Sequence, residues 1–531
     1  MALLMVLLGV AIRLGWLAVG FWKLRLYRRH SMPLEPAPTW GVEASLLVSD
    51  EIASPVTFGW LFHGGTNPTG WNPALQESQA TGYPNDLPLK AYDFQAPLGE
   101  YGQMHPSFRE LKSIHLFLED FGPSLAPMAA FFPPKMPAGK DDTETPRLAV
   151  RADAKGGFIF LNNYQKDHPL PSHANFQVEV KLPTETVDVP RHPVELPGGA
   201  YTYWPVNLPV GSATLVYATA QPLCKLDDPD TTVFFAWPGI APEFAFRVAD
   251  GVTIEAPGGK VERANGTVYI TGLQPGLASA IRIRTAKGHA SEILLLTREQ
   301  ARNIWKAPLA GRDRLVFSNA DLYFEGDRIH LGSTDPSALA FGLYPGLECK
   351  IDGFQCAGKD GIFQRYATKV EAVAVEAKVV KLADPKAAPS VKIAAEVALA
   401  PSESAFEAAA RWSIRVPEIK SAGVSEVLLR IAYQGDVARL YAGSRLITDD
   451  FYHGTPWEIG LRRIPADELE RGLALEILPL RQDSPIYLAA GARPTLPDGG
   501  QVAKLLQIQV ITQYQAIAEV KPGNPTFGGF H

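Results

Sequence analysis

Cysteine is scarce in this chain: Cys224, Cys349 and Cys356 are the only three in 531 residues. That excludes a disulfide framework for a protein of this size. Cys349 and Cys356 are spaced to close a small loop in an oxidising compartment, with free buried thiols as the other reading. No Cys/His spacing of the zinc-binding kind occurs, and His168 and His173 lie in a proline-interrupted loop, so neither a metal nor a cofactor is expected. Basic charge is also in short supply. Lys and Arg number 50 against 56 Asp and Glu, a net charge of −6 that offers no field for nucleic acid. Arginine interleaved with aromatics in the manner of single-strand binders is missing as well.

What is present is ordinary globular composition, 46% hydrophobic and 20% charged, over a length that calls for three or four domains at about 150 residues each. The 46 glycines and 45 prolines are spread along the chain. Such spacing fits many short strands separated by turns.

The first thirty residues stand apart. Met1–Val10 carries no charge, Arg13 interrupts the apolar run, Leu14–Trp22 resumes it, and Lys23, Arg25, Arg28 and Arg29 follow. The run is long enough to span a bilayer as an apolar helix, with Arg13 costing about 2.5 to 3.5 kcal/mol. A secretory signal should place its positive charges first and a small-residue cleavage site last, and neither feature is evident. Two readings stand: a poor membrane anchor through residues 1–22, whose trailing basic cluster would keep the body cytoplasmic, or an N-terminus unrelated to the rest.

The chain is organised around Val56 to Gly102. Val56–Phe62 is a short apolar run that breaks at once into His63, Gly64, Gly65, Thr66 and Asn67. It reads as a buried strand whose carboxyl end enters a tight loop, since adjacent glycines permit dihedrals other residues refuse. After a polar loop comes Lys90–Gly102, containing Ala91, Tyr92, Asp93, Phe94, Gln95, Ala96, Pro97 and Leu98. In barrel enzymes a loop at the carboxyl end of a buried strand holds substrate. This stretch resembles the end of the catalytic barrel of the glycoside hydrolase family 35 β-galactosidases. In that family an aromatic-aliphatic-Phe-(His or Ile)-Gly-Gly-Thr-Asn strand precedes a Ser-Tyr-Asp-Tyr-Asp-Ala-Pro-Leu-like segment. Phe62–Asn67 match closely, while Phe94 and Gln95 depart from the second motif. The resemblance implies that Tyr92 contacts galactose and that His63, Gly64, Gly65, Thr66 and Asn67 shape the pocket floor. The plainer alternative for Tyr92 is a packed loop tyrosine.

Downstream, Pro106–Phe121 is expected to be a helix. Pro106 suits the first position, Phe108, Leu111, Ile114, Leu118 and Phe121 recur at helical spacing, and Gly122-Pro123 stops it. Strand, loop and helix make one βα unit, the last of a (β/α)8 barrel, and only that unit is present. A proline-rich linker spans Pro127 to Pro146. The signal then turns to β, with a buried run at Gly156–Tyr164 that ends in an Asn pair, clean alternation at Phe176–Leu182, and further runs at Tyr201–Trp204, Thr214–Ala218 and Thr232–Trp237. A helical interruption is expected at Thr297–Ala307, and Ala372–Val397 fits strand or helix equally. The block from 147, with Asn162-Asn163-Tyr164 and Pro238–Phe244, resembles the β-domain that follows the barrel in bacterial members. The last block resembles the family's jelly-roll, carbohydrate-binding-module-like domains. There Phe451, Tyr452 and Trp457 read first as sandwich core and second as a sugar-stacking platform. The expected fold is therefore mainly β: several β-sandwich or jelly-roll modules, preceded by a barrel remnant and an N-terminal apolar helix. The expected domains are 1–30 (apolar helix), 31–128 (last βα unit), 147–250 (β-domain), 251–400 (small β modules) and 401–531 (jelly-roll).

Retaining glycoside hydrolysis needs two carboxyl groups about 5 to 5.5 Å apart. In the family they come from earlier barrel strands, one in an Asn-Glu pair and one near a Gly-Trp-Phe pattern, and neither motif occurs here. Glu35, Glu43, Glu51, Glu77 and Glu100 lack matching surroundings, so no catalytic residue is assigned. The resemblance implies a carbohydrate-active protein directed at terminal β-galactosides, truncated or split, and dependent on a partner chain carrying the rest of the barrel. The alternative is a noncatalytic carbohydrate-binding or structural β-protein. A membrane-tethered interaction protein ranks behind both. By resemblance the location is periplasmic or extracellular, unless residues 1–22 anchor the chain to a membrane.

Overall fold

The computed structural model describes residues 97–520, apart from 166–167, 183–184, 348–350, 395–396, 399–400, 420, 487, 489–490 and 498–499. Backbone alone is described at 32–33, 47–48, 393–394 and 397–398. The apolar helix expected at 1–30, the strand Val56–Phe62, the loop His63–Asn67, Tyr92, the glutamates 35 to 77 and Cys349 lie outside the described residues. The described chain is mainly β. Among its helices none is long and apolar enough to cross a membrane.

Two compact units result. One comprises Pro106–Tyr323, Asp327–Glu371 and Gln515–His531, and the other Met1–His105, Phe324–Gly326 and Ala372–Tyr514. The first is built on an antiparallel sheet of eight strands in the order Lys260–Ala264, Thr267–Thr271, Glu243–Val248, Ala213–Ala218, Tyr201–Val210, Gly157–Asn162, Leu148–Ala152 and Ala129–Phe131. A five-stranded sheet follows the order Gln221–Leu226, Thr231–Ala236, Ala290–Thr297, Ala280–Thr285 and Val252–Glu255, with one parallel pairing, Thr231–Ala236 against Ala290–Thr297. The boundary expected at residue 250 falls inside this pair of sheets, because Thr267–Thr271 pairs with Glu243–Val248.

Side-chain alternation explains why Gly157–Asn162 is central. Phe158 points into one core, with Phe244, Phe246 and Ile270, while Ile159 and Leu161 point into another, with Trp204 and Val189. A strand buried on both faces must be apolar at every position, and this one is until Asn162. The second core is closed by the long hairpin of His173–Lys181 and Thr186–Leu196.

The helix spans Pro106–Leu125 and runs past the expected stop, carrying Pro123 in its last turns. A proline there costs little, because the helix has only two more residues to hold. Its buried side is not the one the spacing suggested. Ser113, Leu116, Phe117 and Phe121 are buried, whereas Ile114 and Leu118 are 45% and 44% exposed. Polar anchors set that rotation: Arg109 pairs with Asp321 at 2.7 Å, Asp120 with Lys306 at 2.7 Å, and the Lys112 ammonium lies 3.5 Å from the Trp305 ring centroid. Burial, then the nearby Arg109 charge, holds Lys112 well below the usual lysine range. The interruption expected over Thr297–Ala307 is a single short helix, Arg298–Arg302. Thr297 and Gln300 form its capping box, and Ile304–Leu309 is already a strand.

In the other unit, one antiparallel sheet runs Lys378–Ala383, Ala410–Arg415, Leu473–Ile477, Val437–Ala442 and Arg445–Phe451. Val424–Gln434 pairs with both Trp457–Gly460 and Lys504–Glu519. The ambiguous Ala372–Val397 stretch thus supplies a strand at Lys378–Ala383. Phe451, Tyr452 and Trp457 are each less than a tenth exposed, so they are core and present no platform to a sugar. Residues 97–105, the end of the organising stretch, form a tight turn with Gly99 N donating to Gln103 O at 2.8 Å. Arg463 stacks 4.8 Å from the Tyr101 centroid, and that ring packs on Gly460, where a Cβ would come within 2.3 Å of it.

Candidate functional site

The capping box at Thr297 fixes the first residue of the short helix, Arg298, and so fixes where its guanidinium reaches. Arg298 Nη2 donates to Glu110 Oε1 at 2.7 Å and to the Tyr201 hydroxyl. The guanidinium lies 4.1 Å from the Trp237 ring centroid and 5.1 Å from that of Tyr201. Glu110, on the long helix, also pairs with Arg302. These groups form one wall of a cavity of about 560 Å³. The helix contributes Ile114, Phe117 and Leu118, and the eight-stranded sheet contributes Phe160 and Tyr203. Phe117 packs 4.4 Å from Tyr203 and edge-on to Phe158 at 5.3 Å. The exposure of Ile114 and Leu118 is thus explained: they border this cavity, which is apolar along most of its lining with a few polar groups among the lining residues. Small-molecule sites share that make-up. Trp237 is covered by Arg298, so its face is closed to a stacked sugar.

Two clusters hold buried carboxyl groups of the kind that acid–base chemistry uses. Glu243, 5% exposed, accepts from Tyr217 Oη at 2.6 Å and from Arg191 N at 2.9 Å, and lies 2.9 Å from His192 Nδ1. Burial and then the bond to Glu243 raise the Tyr217 pKa, which keeps the phenol a donor. A second carboxylate, that of the half-exposed Glu262, is held by Arg191 Nη1 at 3.0 Å, so the cluster is neutralised from within and acts as a clamp between hairpin and sheet. Replacing Tyr217 by Phe should cost about 1 to 3 kcal/mol of stability, read by chemical denaturation, since Glu243 and Arg191 N each lose a partner. In the other unit, Tyr433 Oη donates to Asp450 Oδ2 at 2.9 Å, and Asp436 lies near the same phenol. Both aspartates are buried, and neither lines the cavity. Glu100, whose carboxylate lies 3.7 Å from Arg463, is tied to structure. Among the described residues no cluster suited to a metal occurs.

The residues expected to contact sugar, Tyr92 and His63 to Asn67, lie outside the described residues. Glu110, Arg298 and the cavity were not singled out in the sequence. The Thr297-x-x-Gln300 capping pattern was legible there, but the partner of Arg298 is 188 residues distant.

Residues 141–303 match the family described as β-galactosidase, domain 2. A search of curated proteins finds no match. Among solved structures, the chain aligns with a GH31 α-xylosidase from Xanthomonas citri at 12% identity, with a TM-score of 0.10, a value too low to bear on the fold. The alignment covers 74% of this chain and spans 38% of that one. The eight-stranded sheet and its five-stranded neighbour therefore carry a β-galactosidase-like domain, which supports a carbohydrate-active protein.

Proposed function

We propose that this chain is the barrel-end and accessory-domain part of a β-galactosidase, acting on terminal β-galactosides only together with a second polypeptide that supplies the catalytic carboxylates. The observation that carries this reading is the domain 2 match at 141–303, which lies downstream of the Gly64-Gly65-Thr66-Asn67 and Tyr92 segments in the order that the family resemblance implies. In this reading Tyr92 hydrogen-bonds the galactose, and the loop His63 to Asn67 shapes the pocket. The partner's two carboxyl groups do the acid–base and nucleophilic work, because double displacement depends on that assembled geometry.

Assay with a chromogenic galactoside tests the reading. The chain alone is expected to be inactive, and co-expression with a polypeptide carrying the seven other βα units is expected to restore hydrolysis. Tyr92→Phe in the assembled pair should weaken it about five- to tenfold, the loss of one hydrogen bond worth on the order of 1 kcal/mol. Failure of the two polypeptides to associate, or association without hydrolysis, would remove the split-enzyme reading. A noncatalytic carbohydrate-binding role would then take its place.

A further inference from the structure

We infer that the cavity beneath the long helix is a binding site for an amphiphilic carboxylate, an apolar aryl body with an anionic end and a neutral oxygen acceptor at its far end. The inference is independent of the galactoside reading. Two donors inside the cavity's lining point to it. Gln221 is 2% exposed, and its Nε2 has no hydrogen-bond partner among the described residues. Its register partner across the strands, Phe235, lines the same cavity. The buried Nη1 of Arg147 is likewise without a partner. Arg147 lies in one row with Asn162 and Tyr201, since Asn162 N donates to Arg147 O at 2.9 Å and Asn162 pairs with Tyr201. Alternation puts that row on the same side of the sheet as Phe160 and Tyr203, the side that the helix covers. A buried donor left unpaired is costly, and an acceptor on a bound molecule relieves that cost.

Charge selects an anion. The other nitrogen of Arg147, Nη2, bonds only uncharged acceptors: the carbonyls of Gly139 and Asp142 and the amide of Gln165. The Asp142 carboxylate is engaged instead by the amides of Ala138, Glu144 and Thr145, which hold its pKa down at about 2. Arg298, which also lines the cavity, shares the single carboxylate of Glu110 with Arg302. Positive charge is therefore in excess around an apolar space of a size that takes a small organic molecule. The anionic end belongs at Arg147, the aromatic body between Phe117, Leu118 and Phe160, and the neutral acceptor at Gln221.

Methoxynaphthylacetate, which is fluorescent and carries a carboxylate at one end and an ether oxygen at the other, serves as the probe in a titration of the full chain. Saturable one-to-one binding in the micromolar range is expected, with at least tenfold weaker binding of the corresponding methyl ester. Arg147→Gln should abolish the preference for acid over ester. Gln221→Leu should weaken the probe several-fold while leaving the ligand-free protein as stable as before or more so, because an unpaired donor is removed; that second readout holds even if Arg147→Gln fails to fold. Binding at millimolar concentration only, or equal binding of acid and ester, would overturn the assignment. So would concentration-dependent self-association that Leu118→Glu abolishes, since the exposed Ile114 and Leu118 would then be covered by polypeptide.

Discussion

Asp436→Asn is expected to stabilise the chain at pH 8 and to destabilise it at pH 4, where the carboxyl is already protonated and only the cost of the amide's unmet donors remains. Asp436 is 5% exposed and its Oδ1 has no partner, while its backbone groups are fully used, N donating to Leu478 O at 2.8 Å and O accepting from Tyr452 N at 2.9 Å. Burial alone pushes its carboxyl from 3.8 up to about 7. Between those two values the folded chain holds a proton that the unfolded chain has released, so stability falls as pH rises through that window. The penalty is absent below the unfolded value and complete above the folded one. Three pH units at about 1.4 kcal/mol each come to roughly 4 kcal/mol, and the Asn amide returns part of that through its own unmet donors. A net gain of about 2 kcal/mol should raise the transition of this unit by roughly 5 °C at pH 8. Thermal scans of both proteins at pH 4 and pH 8 measure it, and equal gains at the two pH values would show that Asp436 is not the buried acid described.

The β architecture was legible because it rests on local alternation. Phe176 to Leu182 alternates as a half-exposed strand should, and it forms the hairpin strand His173–Lys181; Gly156 to Tyr164 reads as a buried strand, and the strand is there over the shorter span Gly157–Asn162. What the pattern could not supply was partnership. The parallel pairing of Thr231–Ala236 with Ala290–Thr297 needs a connection through five other strands, and nothing in either segment announces it. The helix was found, yet its face was misjudged, because Ile114 and Leu118 are apolar for the sake of a cavity and Ser113 lies on the side that Arg109, Lys112 and Asp120 anchor against the protein. Lys378–Ala383 stayed ambiguous because its mixture of Lys, Val and Ala satisfies either period, and its strand exists through pairing with Ala410–Arg415. Of the candidate site, the capping residues Thr297 and Gln300 were readable, while Glu110, Arg298 and Tyr201 acquire meaning only when the fold brings them together.

The largest expected loss of stability comes from one methyl group, at Gly157→Ala. Gly157 opens the central strand and lies between two neighbours, paired with Ala152 on one side and Val206 on the other. A Cβ there would sit 2.3 Å from Arg151 O and 2.8 Å from Ala152 Cα, both backbone atoms that cannot swing aside as a side chain can. Relief requires the Leu148–Ala152 strand to move away, and that movement would loosen the contact of Phe158 with Phe117 and Phe121. Overpacking in a well-filled core costs about 1 to 3 kcal/mol, and displacement of backbone places this case at the top of that range. Gly258 is the control, because it has φ of +83° with open space around the added carbon, so its alanine pays only backbone strain of about 1 kcal/mol. Urea denaturation should therefore show Gly157→Ala losing about three times what Gly258→Ala loses. Equal losses would mean that the sheet yields freely at this position and that the close approach of strands around Gly157 does not set the packing of the helix.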